Sequence, residues 1–299
     1  MIVVRTVDDL RQRIRSARST ASKIGFVPTM GFLHEGHLSL VDAARSAGAD
    51  YIVVSIFVNP TQFGPREDFA SYPRDEDRDR RLLEERGADL LFAPDVATMY
   101  PEGSRTTVRV AGVSEPLEGA RRPGHFDGVS TVVAKLLNMV TPDLAVFGQK
   151  DAQQCAVIRR MVLDLELPLQ LLFAPTIREK DGLAMSSRNW YLSENERVLA
   201  PALHRALLAG AEVLGSGAAD AAVAENMMVL TLEEWPGVTL DYLAVVDPET
   251  FLPPEDLHRP LVVVGAVRIG TTRLIDNIPL PRGFTKEQGK DNPLQTATA

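Results

Sequence analysis

The sequence predicts an α/β protein, with a doubly wound parallel sheet over residues 1–178 and a smaller α+β domain over 179–280. Three observations carry this reading. Along the first part of the 299-residue chain, short apolar runs alternate with segments of helical periodicity, as βα units require. The run 51–58 (YIVVSIFV) is β-branched without polar alternation, which suits a central strand buried on both faces. Beyond Pro175 the order changes to helices followed by three extended runs, the pattern of an antiparallel sheet with its helices grouped together.

The elements follow in order. Thr6 and Asp9 make a capping box ahead of Leu10, Ile14 and Ala17 on one face, predicting a helix over 6–19. A strand over 24–27 stops at Pro28. After a glycine-containing loop over 30–37, Leu40, Val41 and Ala44 mark a helix that ends near Gly48. The strand 51–58 ends at Asn59-Pro60. Residues 75–86 (DEDRDRRLLEER) read as a charged helix with a solvated face, closed by Gly87, and a strand over 90–92 stops at Pro94. Then come a helix over 129–139, a strand over 144–147, a helix over 151–165 with Val157, Ile158, Met161, Val162 and Leu165 inward, and a strand over 169–173. Ser193 with Glu196 opens a helix through Leu199, Leu203 and Leu207 to about Gly215, and a second helix covers 219–234. Extended runs occupy 238–246, 261–267 and 272–274. The tail 281–299 is polar and aperiodic, and disorder is expected there.

Composition narrows the function. Hydrophobic residues are 45% and charged residues 24% of the chain, ordinary globular usage that excludes collagenous and broadly disordered classes. With 32 basic against 40 acidic residues the net charge is −8, which argues against a general binder of nucleic-acid backbone, so an anionic ligand must be met by a local site. The single cysteine, Cys155, cannot form an internal disulfide. The N-terminus MIVVRTVDDLRQR lacks the apolar run of a signal peptide, and 51–58 falls well short of the roughly 20 residues that span a bilayer. A cytoplasmic protein without a membrane segment is expected.

Three motifs carry chemistry. The first is PTMGFLHEGH at 28–37, where two of the five histidines, His34 and His37, stand around Gly36 at a strand-to-helix junction. Free N–H groups and the helix dipole favour phosphate at such a place, and imidazoles there can donate to phosphate oxygens. A zinc reading is disfavoured because H-E-G-H is one residue short of H-E-x-x-H and Gly36 interrupts the helix. The second motif, FGQKDAQQ at 147–154, repeats the geometry: a strand ends at Gly148 and a helix begins near Asp151, with Lys150 offering a point charge to a polyphosphate at the same edge of the sheet. The third, DGLAMSSRN at 181–189, sets Ser186, Ser187 and Arg188 in a row, two hydroxyls and a guanidinium suited to phosphate oxygens. Together they specify a nucleoside-triphosphate site.

H-x-G-H after the first expected strand, with M-S-S-R downstream, resembles the nucleotidylyltransferase superfamily, whose fold is Rossmann-like. The longer segments PTMGFLHEGHLSL, SIFVNPTQFGPREDFASYPR, FGQKDAQQ, DGLAMSSRN and GTTRLIDN stand in the same order, over residues 1 to about 280, as in the pantoate–β-alanine ligase family, which the chain closely resembles. That resemblance implies ATP, Mg²⁺, pantoate and β-alanine as reaction components, a pantoyl-adenylate intermediate and a homodimer. It implies ATP contacts at Met30, Gly31, Phe32, Leu33, His34, Glu35, Gly36, His37, Gly148, Gln149, Lys150, Asp151, Ile177, Met185, Ser186, Ser187 and Arg188. His37 matches the proton donor. His34, Lys150, Ser186, Ser187 and Arg188 supply the other polar groups for adenylation, and Gln62 and Gln154 hold pantoate. Pro28, Met30, Phe57, Val132 and Val133 form an apolar wall, ordinary core being an equal reading for the last two. No residue is assigned as a direct metal ligand. Asp79 could hold Mg²⁺ at second hand, but in a charge-rich helix it reads as solvated. Gln149 and Phe32 depart from the family, where Glu and Ala are common. A nucleotidyl transferase acting on a phosphorylated acceptor and a non-catalytic nucleotide sensor are the competing readings.

Overall fold

The computed structural model describes residues 1–20, 23–65, 67–217 and 220–281. After Pro281 the tail expected to be disordered lies outside the described residues. The chain divides into two compact units, Met1–Gln149 with Gln154–Ala174, and Lys150–Gln153 with Pro175 onward.

The larger unit contains β1 (Ile2–Val4), α1 (Val7–Arg18), β2 (Ile24–Thr29), α2 (Glu35–Ser46), β3 (Tyr51–Ile56), α3 (Glu76–Glu85), β4 (Leu90–Phe92), the short helices α4 (Val96–Met99) and α5 (Glu118–Arg121), then α6 (His125–Val140), β5 (Leu144–Gly148), most of α7 (Ala152–Asp164) and β6 (Gln170–Ala174). The strands form one sheet in the order β1-β4-β3-β2-β5-β6, with every neighbouring pair parallel. The chain moves outward from β2 through β3 to β4, then crosses to the other side of β2 for β5. The carboxyl ends of β2 and β5 therefore flank the topological switch point, the crevice where open α/β sheets take their ligands.

The central-strand expectation holds: Ile52, Val53 and Val54 of β3 are all fully buried. Leu40, Val41 and Ala44 of α2 pack with Val27 and Val146 in one continuous core. The first strand, β1, was not predicted. Its three residues carry too few positions to show a period, and pairing with β4 is what makes them a strand. Helix α6 begins at His125, a turn earlier than the spacing predicts, despite Gly124 and Gly128. Gly128 has a packing reason, since a Cβ there would meet the Thr61 carbonyl oxygen at 2.5 Å. Only glycine lets α6 approach the 3-10 turn Pro60–Gln62 so closely.

The smaller unit contains α8 (Glu194–Leu199), α9 (Ala202–Gly215), α10 (Ala221–Glu233) and the antiparallel sheet β7 (Val238–Val246), β8 (Leu261–Ile269), β9 (Thr272–Leu280), in the order β7-β8-β9. The single helix expected from Ser193 to about Gly215 is two helices. Pro201, lacking an N–H and crowding the preceding turn, separates them. Among the described residues, Glu194–Gly215 is the one run long and apolar enough to cross a membrane by length and composition. Its Ala202, Leu203, Ala206, Leu207 and Ala211 belong to the core shared with β7, β8 and β9. Strand β9 continues to Leu280, past the predicted end at 274, because Asp276 and Asn277 stay in register with Gly265 and Val264 and are buried.

Candidate active site

In the larger unit, the chain leaves β2 in a turn fixed at both ends. The Thr29 hydroxyl donates to the Ser55 carbonyl at 2.8 Å and accepts the Gly31 N–H at 3.2 Å. Gly31 and Phe32 are both left-handed, with φ of 82° and 50°. A Cβ at Gly31 would press on Ile56 Cγ2 at 2.9 Å, so glycine is required there, whereas Phe32 carries strain that its surroundings must hold. The Arg78 guanidinium lies over the Phe32 ring, 5.3 Å from its centroid.

Asp79 supplies much of the restraint. The sequence reading of this residue as solvated is corrected: it is 1% exposed, and its carboxylate accepts the Phe32 N–H at 2.6 Å and the Leu33 N–H at 2.7 Å. The helix is charge-rich, but this one position faces the loop. Burial pushes the Asp79 carboxyl above its usual range, against the two amide bonds and Arg78, which favour the ion. Asp79→Asn keeps the shape but offers only one acceptor oxygen, so one buried amide loses its partner. Urea unfolding should show a loss of about 1–3 kcal/mol. An unchanged midpoint would mean that the loop is held by other contacts.

The loop delivers two imidazoles to the start of α2. His34 is the N-cap, and its Nδ1 accepts the Gly36 N–H at 3.1 Å, while His37 Nδ1 accepts the His34 N–H at 3.4 Å. This is a capping box built from histidines in place of Ser and Glu. The ring centroids are 4.1 Å apart. Because both Nδ1 atoms accept backbone protons, the neutral rings carry their own proton on Nε2. Each imidazole is thereby set as an Nε2–H donor at a helix N-terminus.

On the other side of the loop, the 3-10 turn presents Gln62. This residue is 8% exposed, its Oε1 accepts from Asn59 Nδ2 at 3.2 Å, and its Nε2 stands 3.0 Å from Met30 Sδ. Asn59 is itself buried. It donates to the Gly128 carbonyl at 3.1 Å and accepts from the Tyr100 hydroxyl at 2.9 Å. Phe57, Val132 and Val133 are buried, Pro28 and Met30 are half-buried, and Gln154 is half-buried on α7. Gly148 ends β5, and the Gln149 N–H donates to the Ala174 carbonyl at 2.9 Å.

Sequence reasoning missed the group that holds Gln62 from behind. His125 Nδ1 lies 2.8 Å from the Gln62 carbonyl and must donate to it, which leaves Nε2 as an acceptor 3.1 Å from Arg122 Nη1. Arg122 in turn pairs with both carboxylate oxygens of Glu67, at 2.9 and 2.6 Å. Burial and the Arg122 charge hold His125 down at about 4, from an ordinary 6.5. Burial alone would raise Glu67, but Arg122 outweighs it and holds that carboxyl below its usual range. Between about pH 4 and 6.5 the unfolded chain therefore binds one more proton at His125 than the folded chain does. Stability should rise with pH across that window, by about 3 kcal/mol. Denaturant unfolding of His125→Gln should lose that part of the slope, whereas the Glu67 contribution falls away only at lower pH. An unaltered slope would exclude a neutral buried imidazole.

The smaller unit holds the remaining predicted groups. Residues 177–185 form a hairpin in which the Met185 N–H donates to the Ile177 carbonyl at 2.9 Å and Arg178 bridges Ala184. Ser186 then caps a 3-10 turn over Ser187–Tyr191, accepting the Arg188 N–H at 3.2 Å. Ser187 is buried. The Lys150 carbonyl is held by Asn277 Nδ2 at 2.9 Å. Among the described residues, no group of three or more His, Cys, Asp or Glu could hold a metal ion, and the Asp79 carboxylate is already engaged by two amides.

A six-stranded parallel sheet, with a histidine-capped helix opening at its switch point, places the chain in the class of open α/β proteins, whose switch-point crevice and helix N-termini favour phosphate-bearing ligands. Comparison with known proteins gives the family. The family model described as Pantoate-beta-alanine ligase matches residues 2–279, and the chain belongs to that family of ligases. Pantothenate synthetase of Moorella thermoacetica is 51% identical over 280 residues, covering 94% of this chain and 99% of that protein. The Pseudomonas aeruginosa enzyme is 52% identical over 282 residues, covering 93% and 98%. Among solved structures, pantothenate synthetase from Thermus thermophilus superposes with a TM-score of 0.88 at 51% identity, covering 93% of this chain and 99% of that one. Pantoate-beta-alanine ligase from Francisella tularensis, complexed with beta-gamma ATP and beta-alanine, has a TM-score of 0.74 at 34% identity, covering 93% and 97%.

Proposed function

We propose that this chain condenses (R)-pantoate with β-alanine in an ATP-driven reaction, by way of pantoyl adenylate. In the first step a pantoate carboxylate oxygen bonds to the α-phosphorus of ATP and pyrophosphate leaves. In the second, the β-alanine amine bonds to the acyl carbon, AMP leaves and the amine gives up a proton. A carboxylate is already ionised at neutral pH, so adenylation calls for no strong base. It calls for donors and cations around a crowded polyphosphate. The observation that carries the reading is the pair His34 and His37, whose Nδ1 atoms accept backbone N–H groups and so fix both rings at the N-terminus of α2.

In this reading the ATP contacts are Met30 to His37, Gly148 to Asp151, Ile177 and Met185 to Arg188, with His37 as proton donor and His34, Lys150, Ser186, Ser187 and Arg188 supporting the phosphates. Gln62 and Gln154 bind the pantoate hydroxyls and carboxylate, which suit neutral amides that both donate and accept. Asn59, the bond partner of Gln62 Oε1, supports that assignment by fixing the amide's orientation. Mg²⁺ would enter with the ATP phosphates and keep much of its water, the usual behaviour of an ion that seldom has an all-protein cage. Residues 1–178 serve as the ATP and pantoate domain and 179–280 as a smaller lid domain. Family likeness also supports a cytoplasmic homodimer. The test is stoichiometry: ATP, pantoate and β-alanine should yield pantothenate, AMP and pyrophosphate in equal amounts. Turnover without pantoate, or transfer of the nucleotide to a phosphorylated acceptor, would contradict the reading.

A further inference from the structure

The segment GTTRLIDN at 270–277 has no part in the chemistry above, yet its last two residues centre a buried polar network. Asp276 and Asn277 are 6% and 3% exposed within β9. The Asp276 carboxylate receives Arg178 through both oxygens, Nη1 at 2.6 Å and Nη2 at 2.9 Å, and also accepts the Asn277 N–H at 2.8 Å. His204 Nδ1 stands 3.4 Å away. Burial pushes the Asp276 carboxyl up, but His204 and Arg178 together outweigh it and keep the group ionised. Arg178 also donates to the carbonyls of Asn277, at 3.1 Å, and Gly182, at 3.0 Å. A buried ion pair of this kind seldom stabilises a fold more than apolar packing would; here its two partners bond the N–H and the carbonyl of Asn277.

What the pair fixes is the backbone of Asn277, and Asn277 reaches out of its strand. Its Nδ2 donates to the Lys150 carbonyl at 2.9 Å, across 127 positions of sequence. The Lys150 carbonyl lies in the turn between β5 and α7, outside both elements. Arg178 follows Ile177 directly, and Ile177 holds Met185. One network thus ties down three of the proposed ATP segments, at 150, at 177 and at 185.

We propose that Asn277 is a positioning residue for adenylation. Its amide fixes the Lys150 main chain, and with it the origin of the ammonium group, while Asp276 and Arg178 hold Asn277 in place. The inference rests on the reading of Lys150 as an ATP contact. Asn277→Asp keeps the shape but turns an acceptor toward the Lys150 carbonyl, and Asn277→Ala serves as a second variant should the aspartate prevent folding. Pantoate-dependent exchange of labelled pyrophosphate into ATP is measured per active site counted by an adenylate burst. The exchange kcat should fall ~10 to 100-fold, the effect of a displacement of about 1 Å at a reacting centre. The KM for pantoate should stay within about 2-fold, and supplied pantoyl adenylate should react with β-alanine normally. Lys150→Ala combined with Asn277→Asp should be no slower than Lys150→Ala alone. Multiplying losses, equal damage to both half reactions, or normal exchange by Asn277→Asp beside a slow Lys150→Ala would overturn the inference by itself. Normal exchange by Lys150→Ala would instead remove the reading of Lys150, and the inference with it.

Discussion

Lys150→Ala is expected to slow pantoyl-adenylate formation ~100 to 1,000-fold while leaving the reaction of supplied adenylate with β-alanine near the parent rate. Charge on the α-phosphate oxygens grows as the carboxylate attacks, and a fixed cation binds that transition state more strongly than it binds ground-state ATP. The chain as a whole is acidic, at −8, so the compensating charge must be local. A compact ammonium supplies it as a point charge. The apparent affinity for ATP should change less than the rate. If the variant were as defective with adenylate plus β-alanine as with ATP plus pantoate, Lys150 would be a structural or second-step residue.

His37→Ala should cost a similar ~100 to 1,000-fold in the same half reaction, and the histidine cap allows the cause to be separated from folding. His37 Nδ1 accepts the His34 N–H, and loss of such a cap costs about 1 kcal/mol, too little to explain the rate. Asparagine can place an acceptor near the position of Nδ1 but has no atom at Nε2. His37→Asn should therefore regain most of the thermal stability and almost none of the activity. Recovery of both together would show that His37 acts only by capping α2.

The larger features of the fold were legible because they rest on burial. The β-branched run of β3, the alternation of strands and helices, and the change of order after Pro175 each reflect which surfaces must leave water. What escaped the sequence was decided by partners distant in the chain. β1 is three residues made a strand by β4. β9 looked finished at 274 because Asp276-Asn277 has turn chemistry, until Arg178 supplies the opposite charge. Around the candidate site, the motifs named the residues that can face a phosphate but not those that hold them. Asp79 was hidden in a run of charges whose other members give no hint that one turns inward to two amides. His125 and Arg122 lie in no motif that suggested chemistry, and their role appears only when α6 is seen against the turn carrying Gln62. Asn59 and Asn277 did fall inside matched segments, SIFVNPTQF and GTTRLIDN. A polar residue in such a segment with no assigned chemistry is the signal that could have found them.

The most direct test of the two-step account is the exchange of labelled pyrophosphate into ATP by the parent protein with pantoate present and β-alanine absent. A carboxylate that attacks the α-phosphorus before the amine is needed makes that step reversible by itself, so label should enter ATP at a rate set by pantoate. Label in ATP that depends on pantoate and not on β-alanine is the predicted result. A preparation that forms pantothenate yet exchanges no label until β-alanine is added would contradict it.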